Sequence, residues 1–270
     1  MTSTYSGRAA AAALSVYLLI PSAVLAQTAP ALGTANPFAV LAGSAVTNTG
    51  ATVITGDVGL HPGAAVTGFP PGLVLGTIHA ANATSLQAKN DLTTAYNHLA
   101  AQPCTADLTG QDLGGLTLTP GVYCYSSSAQ LTGNLTLNAQ GNPAAVFIFK
   151  TGSTLTTAST AQVLMINGGL NCNVFWQVGS SATLGTNTTF AGSILALTSI
   201  TLTTGARIVG RALARDGAVT LDSNTIDPSA CVPTPVPTLA GWAMIALAGL
   251  LGLGGAAAMR RRTAFARAGR

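Results

Sequence analysis

The sequence predicts a mainly β fold, a β-solenoid with one long α-helix packed alongside it. Two observations carry this fold class. A strand-like segment recurs every 18 or 19 residues in the C-terminal half of the chain, and a single stretch has helical periodicity. Threonine, alanine, glycine and leucine are abundant, and only 7% of the 270 residues are charged. This composition suits short strands that stack and turn tightly.

The repeat emerges when four segments are aligned: STLTTASTAQV from residue 153, ATLGTNTTFAG from 182, ITLTTGARIVG from 200 and VTLDSNTID from 219. Each copy has a threonine followed by a leucine in the same two columns, and NTGATVITG (48–56) matches the second half of the pattern. A period of this length suits one coil of a solenoid. Because side chains alternate along a strand, we expect the leucines to point inward and the threonines outward.

The helical pattern covers residues 77–101. Its apolar side chains recur at close to 3.6 residues, and Pro103 ends the stretch. The polar face carries several asparagines together with Lys89 and Asp91. A lone amphipathic helix has no helical neighbour, so its apolar face is predicted to lie on a sheet.

Both ends of the chain are typical of targeting segments. Arg8 and the apolar run after it predict a signal peptide cleaved after Ala26. A second apolar run near the C-terminus is long enough to span a bilayer, and the arginines that follow it predict a cytoplasmic end. The predicted organisation is a signal peptide (1–26), an exported body (27–232), a stiff proline-rich linker (233–239), a transmembrane segment (240–259) and a basic cytoplasmic tail (260–270).

The net charge of +4 comes from the two ends of the chain. Between residues 27 and 232, seven aspartates outnumber five lysines and arginines, and there is no glutamate. This slightly acidic body argues against a nucleic-acid partner. Hydrolytic chemistry on a solenoid needs clustered carboxylates or a metal, and the common catalytic motifs are missing from the sequence. We therefore expect no enzyme activity, no catalytic residue, no metal site and no cofactor.

The exported body contains four cysteines, Cys104, Cys124, Cys172 and Cys231. Export permits disulfides, and four cysteines allow three pairings. We expect the pairs Cys104–Cys124, which closes a short loop, and Cys172–Cys231. A zinc site is a poor alternative because the sequence has no C-x-x-C pair.

Three stretches resemble the ice-binding-like domain family of bacteria and fungi: VITGDVGLHPG (53–63), DLGGLTLTPGVYC (112–124) and the run from GLNCNVFWQVG to LDSNTI (169–226). The resemblance covers about residues 32–228. It implies a discontinuous right-handed β-helix, in which N-terminal strands interleave with later coils and one long α-helix packs along the side. It also implies a flat face that binds an ice surface or ordered water, and we expect a monomer.

The family's flat face often carries the motif T-A/G-x-T/N. Residues 49–52 and 157–160 match it, residues 186–189 match at both ends, and residues 204–207 match until Arg207. Arg207, like Asp222 in the last coil, is expected to hold its own water and interrupt the flat surface. Motif and repeat together predict these ice-contacting residues: Thr49, Thr52, Thr154, Thr156, Thr157, Thr160, Thr183, Thr186, Thr189, Thr201, Thr203 and Thr204.

The C-terminal stretch 236–262 resembles a bacterial protein-sorting tail, with the signature I-P-T-L, a tryptophan, a membrane segment and arginines. The matching residues are Pro237, Thr238, Leu239 and Trp242, whereas valine replaces the isoleucine. The resemblance implies a Gram-negative host and transient anchoring of the chain in the inner membrane. It further implies processing by a sorting transpeptidase-like enzyme and a final location at the cell surface or beyond. An ordinary single-pass anchor is the alternative.

Two functions remain open from the sequence. The threonine face binds ice, or it is a cell-surface adhesin or extracellular-matrix surface that binds polysaccharide or other cells. Outward aromatic side chains would favour sugar binding, and the threonine columns have none. Trp176 lies beside inward-facing residues and fits the core.

Overall fold

The computed structural model describes residues 27–229, which form three parallel β-sheets around one core. One α-helix, α1, spans Ala83–Ala101, and short 3-10 helices span Gly33–Ala35 and Asn171–Asn173. The strands are β1 (Phe38–Ala42), β2 (Ala45–Thr49), β3 (Val53–Ile54), β4 (Asp57–Leu60), β5 (Ala65–Thr67), β6 (Leu73–Val74), β7 (Ile78–Ala80), β8 (Ala106–Asp107), β9 (Thr117–Leu118), β10 (Gly121–Tyr125), β11 (Ala129–Leu131), β12 (Asn134–Asn138), β13 (Phe147–Thr151), β14 (Leu155–Thr157), β15 (Gln162–Ile166), β16 (Val174–Val178), β17 (Ala182–Leu184), β18 (Thr189–Ala191), β19 (Ser193–Ala196), β20 (Ile200–Leu202), β21 (Arg207–Val209), β22 (Ala212–Ala214), β23 (Val219–Asp222) and β24 (Thr225–Ile226).

Each coil passes through the three sheets in turn. Sheet A has the order β7-β4-β1-β22-β19-β16-β13-β10-β8, sheet B the order β11-β14-β17-β20-β23-β2-β5, and sheet C the order β6-β3-β24-β21-β18-β15-β12-β9. Strand β1 pairs with β4 of the second coil on one side and with β22 of the last coil on the other. The predicted discontinuous β-helix is confirmed.

Helix α1 explains the discontinuity. The chain enters α1 after β7 at one edge of sheet A and emerges before β8 at the opposite edge. Nineteen helical residues extend about 28 Å, which is most of the roughly 38 Å spanned by the eight interstrand spacings between β7 and β8. The helix therefore carries the chain back along the solenoid, and the later coils stack until β22 meets β1.

The predicted apolar face of α1 lies on the outside of sheet A, as expected. Leu92, Ala95 and Leu99 pack with Phe38 and Leu41 in a cluster of their own. The helix begins later than predicted, since residues 78–80 form β7 instead. Its start is fixed by a capping box, in which the side chains of Asn82 and Ser85 each accept a hydrogen bond from the backbone N–H of the other.

The solenoid core follows the predicted alternation. The repeat leucines point inward and are almost completely buried. Three aromatic rings, from Tyr123, Phe149 and Trp176, stack along the solenoid axis with centroid distances of 5.5 and 4.0 Å. The Phe190 ring, from the same coil as Trp176, contacts the indole at 4.7 Å with a tilt of 45°. Trp176 is fully buried, and its Nε1 donates to the Ala191 carbonyl at 3.0 Å. The stack therefore ties three successive coils together.

Lys89 departs from the sequence expectation, because this residue of the predicted polar face is only 9% exposed. Its Nζ donates to the carbonyl oxygens of Ala214 (2.7 Å) and Arg215. Burial lowers the pKa of Lys89 to about 8, and the charge of Asp216 opposes that shift only in part. Lys89 thus joins the helix to the end of a sheet A strand, although burial makes its charged form less favourable than it is in water.

The lowered pKa of Lys89 predicts a pH dependence of folding. Between the folded pKa of about 8 and the usual lysine pKa of about 10.4, the unfolded chain binds more protons than the folded chain, so stability rises with pH. The free energy of unfolding of the native protein is expected to increase across this window relative to that of Lys89→Met. Urea denaturation of both proteins at several pH values measures the difference, and parallel pH curves would contradict it.

The structure contains the predicted Cys104–Cys124 disulfide, which ties the segment after α1 to β10. Cys231 lies outside the described residues, so the pairing Cys172–Cys231 stays a prediction. The predicted signal peptide, linker, sorting motif, transmembrane segment and basic tail also lie outside residues 27–229. Within that range, no helix combines the length and the apolarity needed to cross a membrane.

Candidate binding surface

Among residues 27–229, α1 covers the outside of sheet A, and no α-helix packs on the outer faces of sheets B and C. The outer face of sheet C is uneven. It carries the exposed aliphatic side chains of Leu73, Leu164 and Ile166 as well as the long side chain of Arg207. Apart from Gln130 on the terminal strand β11, the outer face of sheet B carries short side chains, most of them with hydroxyl groups. The regular surface of this molecule is therefore on sheet B.

The strand register of sheet B aligns six threonines on neighbouring strands. They form a row, which we call the central threonine row, in the order Thr156, Thr183, Thr201, Thr220, Thr47 and Thr67. Five interstrand spacings give this row a length of about 24 Å. Three of its members are exposed and three are half-buried. Branching at Cβ restricts the threonine rotamers, so hydroxyls and methyls recur in a fixed lattice.

A second row runs beside the central threonine row. It lies two residues earlier on each strand and contains Ser128, Thr154, Ser181, Ser199, Ala218, Ala45 and Ala65. The Thr154 hydroxyl donates to Ser128 Oγ at 2.9 Å, which shows that the row is continuous between neighbouring coils. All its side chains are small, so the surface stays flat on this side.

A third row, the corner row, marks the turn from sheet B into sheet C. Its members are Ser159, Thr186, Thr204, Asp222 and Thr49. From coil to coil, the carbonyl of one corner-row residue accepts a hydrogen bond from the residue that follows the neighbouring member of the row. The N–H of Gly205, which follows Thr204, donates to the Asp222 carbonyl (3.1 Å), and the N–H of Ser223 donates to the Thr49 carbonyl (2.9 Å). The donor residues have left-handed backbones, with φ of +74° at Gly205 and +54° at Ser223. This ladder holds the corner side chains in line.

Asp222 takes part in the corner row. Its carboxylate accepts hydrogen bonds from the Thr204 hydroxyl at 2.5 Å and from Ser223 Oγ at 3.1 Å, and the side chain is half-buried. Part of its hydrogen-bonding capacity is therefore used by neighbours in the row. The expectation that Asp222 interrupts the surface finds no support in this geometry.

The twelve predicted threonines do not all share one surface. Four of them, Thr154, Thr156, Thr183 and Thr201, lie on sheet B, and three more, Thr49, Thr186 and Thr204, lie in the corner row. Thr203 is half-buried near the corner, where its hydroxyl donates to the Leu184 carbonyl at 2.8 Å. Thr160 is exposed in a turn, and Thr189 begins the sheet C strand β18.

The prediction of an outward position is wrong for Thr157 and Thr52, which are 3% and 0% exposed. Thr157 Oγ1 bonds the Thr188 hydroxyl (2.9 Å) and accepts the Gly185 N–H (2.9 Å). Thr52 Oγ1 accepts the Asn224 N–H at 3.0 Å. These hydroxyls satisfy buried polar groups at the corner, which would otherwise be costly.

The placement of Arg207 on the threonine face is also wrong. Arg207 lies on sheet C between Thr189 and Thr225, its partners on the two neighbouring strands. The motif copies are out of register because their turns differ. The last residue of 49–52 is buried at the corner, whereas the last residue of 204–207 has already entered the next sheet.

Three members of the central threonine row were missed by the sequence analysis. Thr220 stands in the repeat column but in no motif copy, and Thr47 and Thr67 belong to the N-terminal coils that the repeat alignment does not reach. The signal that identifies Thr47 and Thr67 is the alternation of AVTNT and AVT, in which a threonine follows a buried or half-buried valine.

Within residues 27–229, no group of three or more histidine, cysteine, aspartate or glutamate side chains is placed to hold a metal ion. The central threonine row contains no titratable side chain. The fold and the surface define a class of protein: a β-helix with an extended, rigid, threonine-rich face whose charged member, Asp222, lies in the corner row.

The comparison with known families agrees with this class. The model of the ice-binding-like family matches residues 40–227, and the chain belongs to that family. The tail, residues 234–261, matches the IPTL-CTERM motif, as the sequence resemblance predicted.

Relatives and solved structures support the assignment. An ice-binding protein from Nostoc sp. (strain HG1) is 59% identical over 205 residues, which cover 76% of each chain. A solved ice-binding protein from an Antarctic biological consortium superposes with a TM-score of 0.74 at 51% identity, covering 78% of this chain and 96% of the other. That of the Antarctic ascomycete Antarctomyces psychrotrophicus has a TM-score of 0.72 at 45% identity, covering 74% and 98%.

Proposed function

We propose that this protein binds ice through the outer face of sheet B. The observation that carries the proposal is the strand register that aligns the six threonines of the central threonine row. The corner row and the row of Thr154 extend the same surface on both sides. Membership in the ice-binding-like family and the names of its relatives support the same function.

The mechanism follows from the chemistry of threonine. Hydroxyls at fixed spacings each hold a water molecule, and the methyl groups between them order the water that they cannot bond. Because the surrounding coils are rigid, no free energy is spent on ordering the protein itself when this water layer forms. A layer of water that already has an ice-like arrangement joins the crystal lattice with little further rearrangement.

An adhesin surface for polysaccharide is the other function that the sequence left open. The three rows on sheet B contain no aromatic side chain on which a sugar ring would stack. Trp176, the tryptophan within residues 27–229, is fully buried. No feature of this face favours the adhesin function over ice binding.

The test is direct. A solution of residues 27–232 is cooled around a single ice crystal, and the shape of the crystal is followed. Adsorbed protein is expected to give facets, because it stops growth on the planes to which it binds. A crystal that remains a rounded disc would overturn the proposal.

We also propose that the domain is exported and remains at the cell surface or outside the cell. The proposal includes removal of residues 1–26 as a signal peptide. It also includes a linker and sorting motif at 233–239, a membrane segment at 240–259 and a cytoplasmic tail at 260–270. It further includes processing by a sorting transpeptidase-like enzyme, a monomeric state and a Cys172–Cys231 disulfide. Mass spectrometry of protein shaved from intact cells tests the start of the mature chain, which is expected near Gln27.

The position of Arg207 gives a further prediction. Since Arg207 lies on sheet C, Arg207→Thr is expected to leave ice shaping unchanged, even though it completes the motif at 204–207. Shaping by the native protein and the variant is compared over a concentration series. Stronger shaping by the variant would place the active surface on sheet C.

A further inference from the structure

The described chain ends at the corner between sheets C and A. After β24, the Asp227 N–H donates to the Ile208 carbonyl at 2.9 Å, and the Gly210 N–H donates to the Asp227 carbonyl at 3.2 Å. Gly210 lies between β21 of sheet C and β22 of sheet A. Ser229 is held close by, since its N–H and hydroxyl both donate to the Asp227 carboxylate, at 2.8 and 2.5 Å. The direction in which the tail departs is therefore fixed up to Ser229.

The N-terminal segment lies along the same corner. Arg211, which precedes β22, donates two hydrogen bonds to the Asn36 carbonyl, at 3.0 and 2.8 Å. The Gln27 side chain donates to the Val146 carbonyl just before β13. Leu32, Asn36 and Pro228 line one cavity of about 320 Å³. Residues of the N-terminal segment thus lie beside Pro228 at this corner, whereas Gln27 itself lies further along the solenoid, at β13.

This corner is opposite the threonine face. Three sheets that follow one another around a coil form a three-sided prism, and the corner shared by sheets C and A faces away from sheet B. The outer side of sheet A is occupied by α1, so sheet B is also remote from the helix. Any attachment through the C-terminal tail therefore leaves the central threonine row on the far side of the domain.

We propose that the tail holds this domain with its threonine face directed away from the cell, so that the protein attaches the producing cell to ice. This inference rests on the proposed function and adds an orientation to it. Ten residues, 230–239, separate Ser229 from the predicted membrane segment and reach about 31 Å when fully extended, so the corner at which the chain leaves the domain influences which face is turned outward. With the exit on the opposite corner, the face is accessible without a long linker.

The test uses the full chain expressed in a Gram-negative host, with cells washed over an ice surface and the retained cells counted. Surface display is measured on the same cells by protease shaving. Cells carrying the native chain are expected to be retained, and Thr183→Tyr on sheet B should reduce retention to the level of cells without the chain. The matched variant Thr225→Tyr, half-buried on the outer face of sheet C, should be retained like the native chain.

Deletion of residues 233–235 tests the orientation itself. It shortens the reach of the linker by about 9 Å, yet retention should persist, because the face points outward without help from the linker. Loss of retention on this deletion, with display intact, would overturn the orientation. So would absence of the native chain from the cell surface, or failure of displayed native cells to bind ice while purified residues 27–232 shape crystals. Failure of the purified domain to shape ice would instead overturn the proposed function.

Discussion

Thr183→Tyr is expected to abolish ice shaping and to leave the free energy of unfolding nearly unchanged. Thr183 is in the interior of the central threonine row, between Thr156 and Thr201. A phenol ring at this position stands several ångströms above its neighbours and keeps the whole face from the crystal. The side chain points outward from the sheet, and substitutions at such sites usually change stability by less than about 0.5 kcal/mol.

The matched control is Thr225→Tyr, which makes the same change at a half-buried outward position of sheet C. Crystal shaping and thermal unfolding are measured for both variants. The control should shape ice like the native protein. If Thr183→Tyr shapes ice normally, or if both variants lose shaping together, the active face is not sheet B alone.

Trp176→Ala is expected to cost about 3–5 kcal/mol of the free energy of unfolding. The indole is fully buried, stacks at 4.0 Å on the Phe149 ring and donates to the Ala191 carbonyl. It also contacts the Phe190 ring at 4.7 Å with a tilt of 45°. Its removal leaves a cavity between two successive coils and an unpaired carbonyl. These coils also carry part of the central threonine row. After heating to increasing temperatures, the variant should therefore lose ice shaping at a lower temperature than the native protein does.

Trp176→Phe separates the two contributions of the indole. Phenylalanine keeps a ring in the stack but loses the Nε1 donor, so its cost should be clearly smaller than that of alanine. Chemical denaturation of all three proteins measures the costs. Equal stability of the native protein and Trp176→Ala would mean that the stack does not hold the coils together.

Much of the fold follows from local pattern. The solenoid period, the inward leucines and the apolar face of α1 depend on side-chain alternation and helical periodicity, which neighbouring residues determine. The start of α1 was misplaced because Ile78 extends the apolar period of the helix yet lies on β7. The capping box at Asn82 and Ser85 decides the boundary. The burial of Lys89 depends on distant carbonyls that no local pattern reveals.

The binding surface was harder to predict, since the position of a side chain around a coil depends on turn length. One residue more or less at the corner moves a motif threonine from the surface into the core or onto the next sheet. Thr52 and Thr189 show the two outcomes. Thr47 and Thr67 join the central threonine row only because the N-terminal coils interleave with the last ones, which is a property of long-range pairing.

The central claim is that strand register, rather than the sequence motif, defines the ice-binding surface. Uptake of fluorescently labelled protein into slowly growing ice tests it with two exposed threonines. Thr220→Tyr alters the central threonine row at a position that no motif copy contains, whereas Thr189→Tyr alters a motif residue that lies on sheet C. The account predicts that Thr220→Tyr is excluded from the ice while Thr189→Tyr is taken up like the native protein, and the reverse result would contradict it.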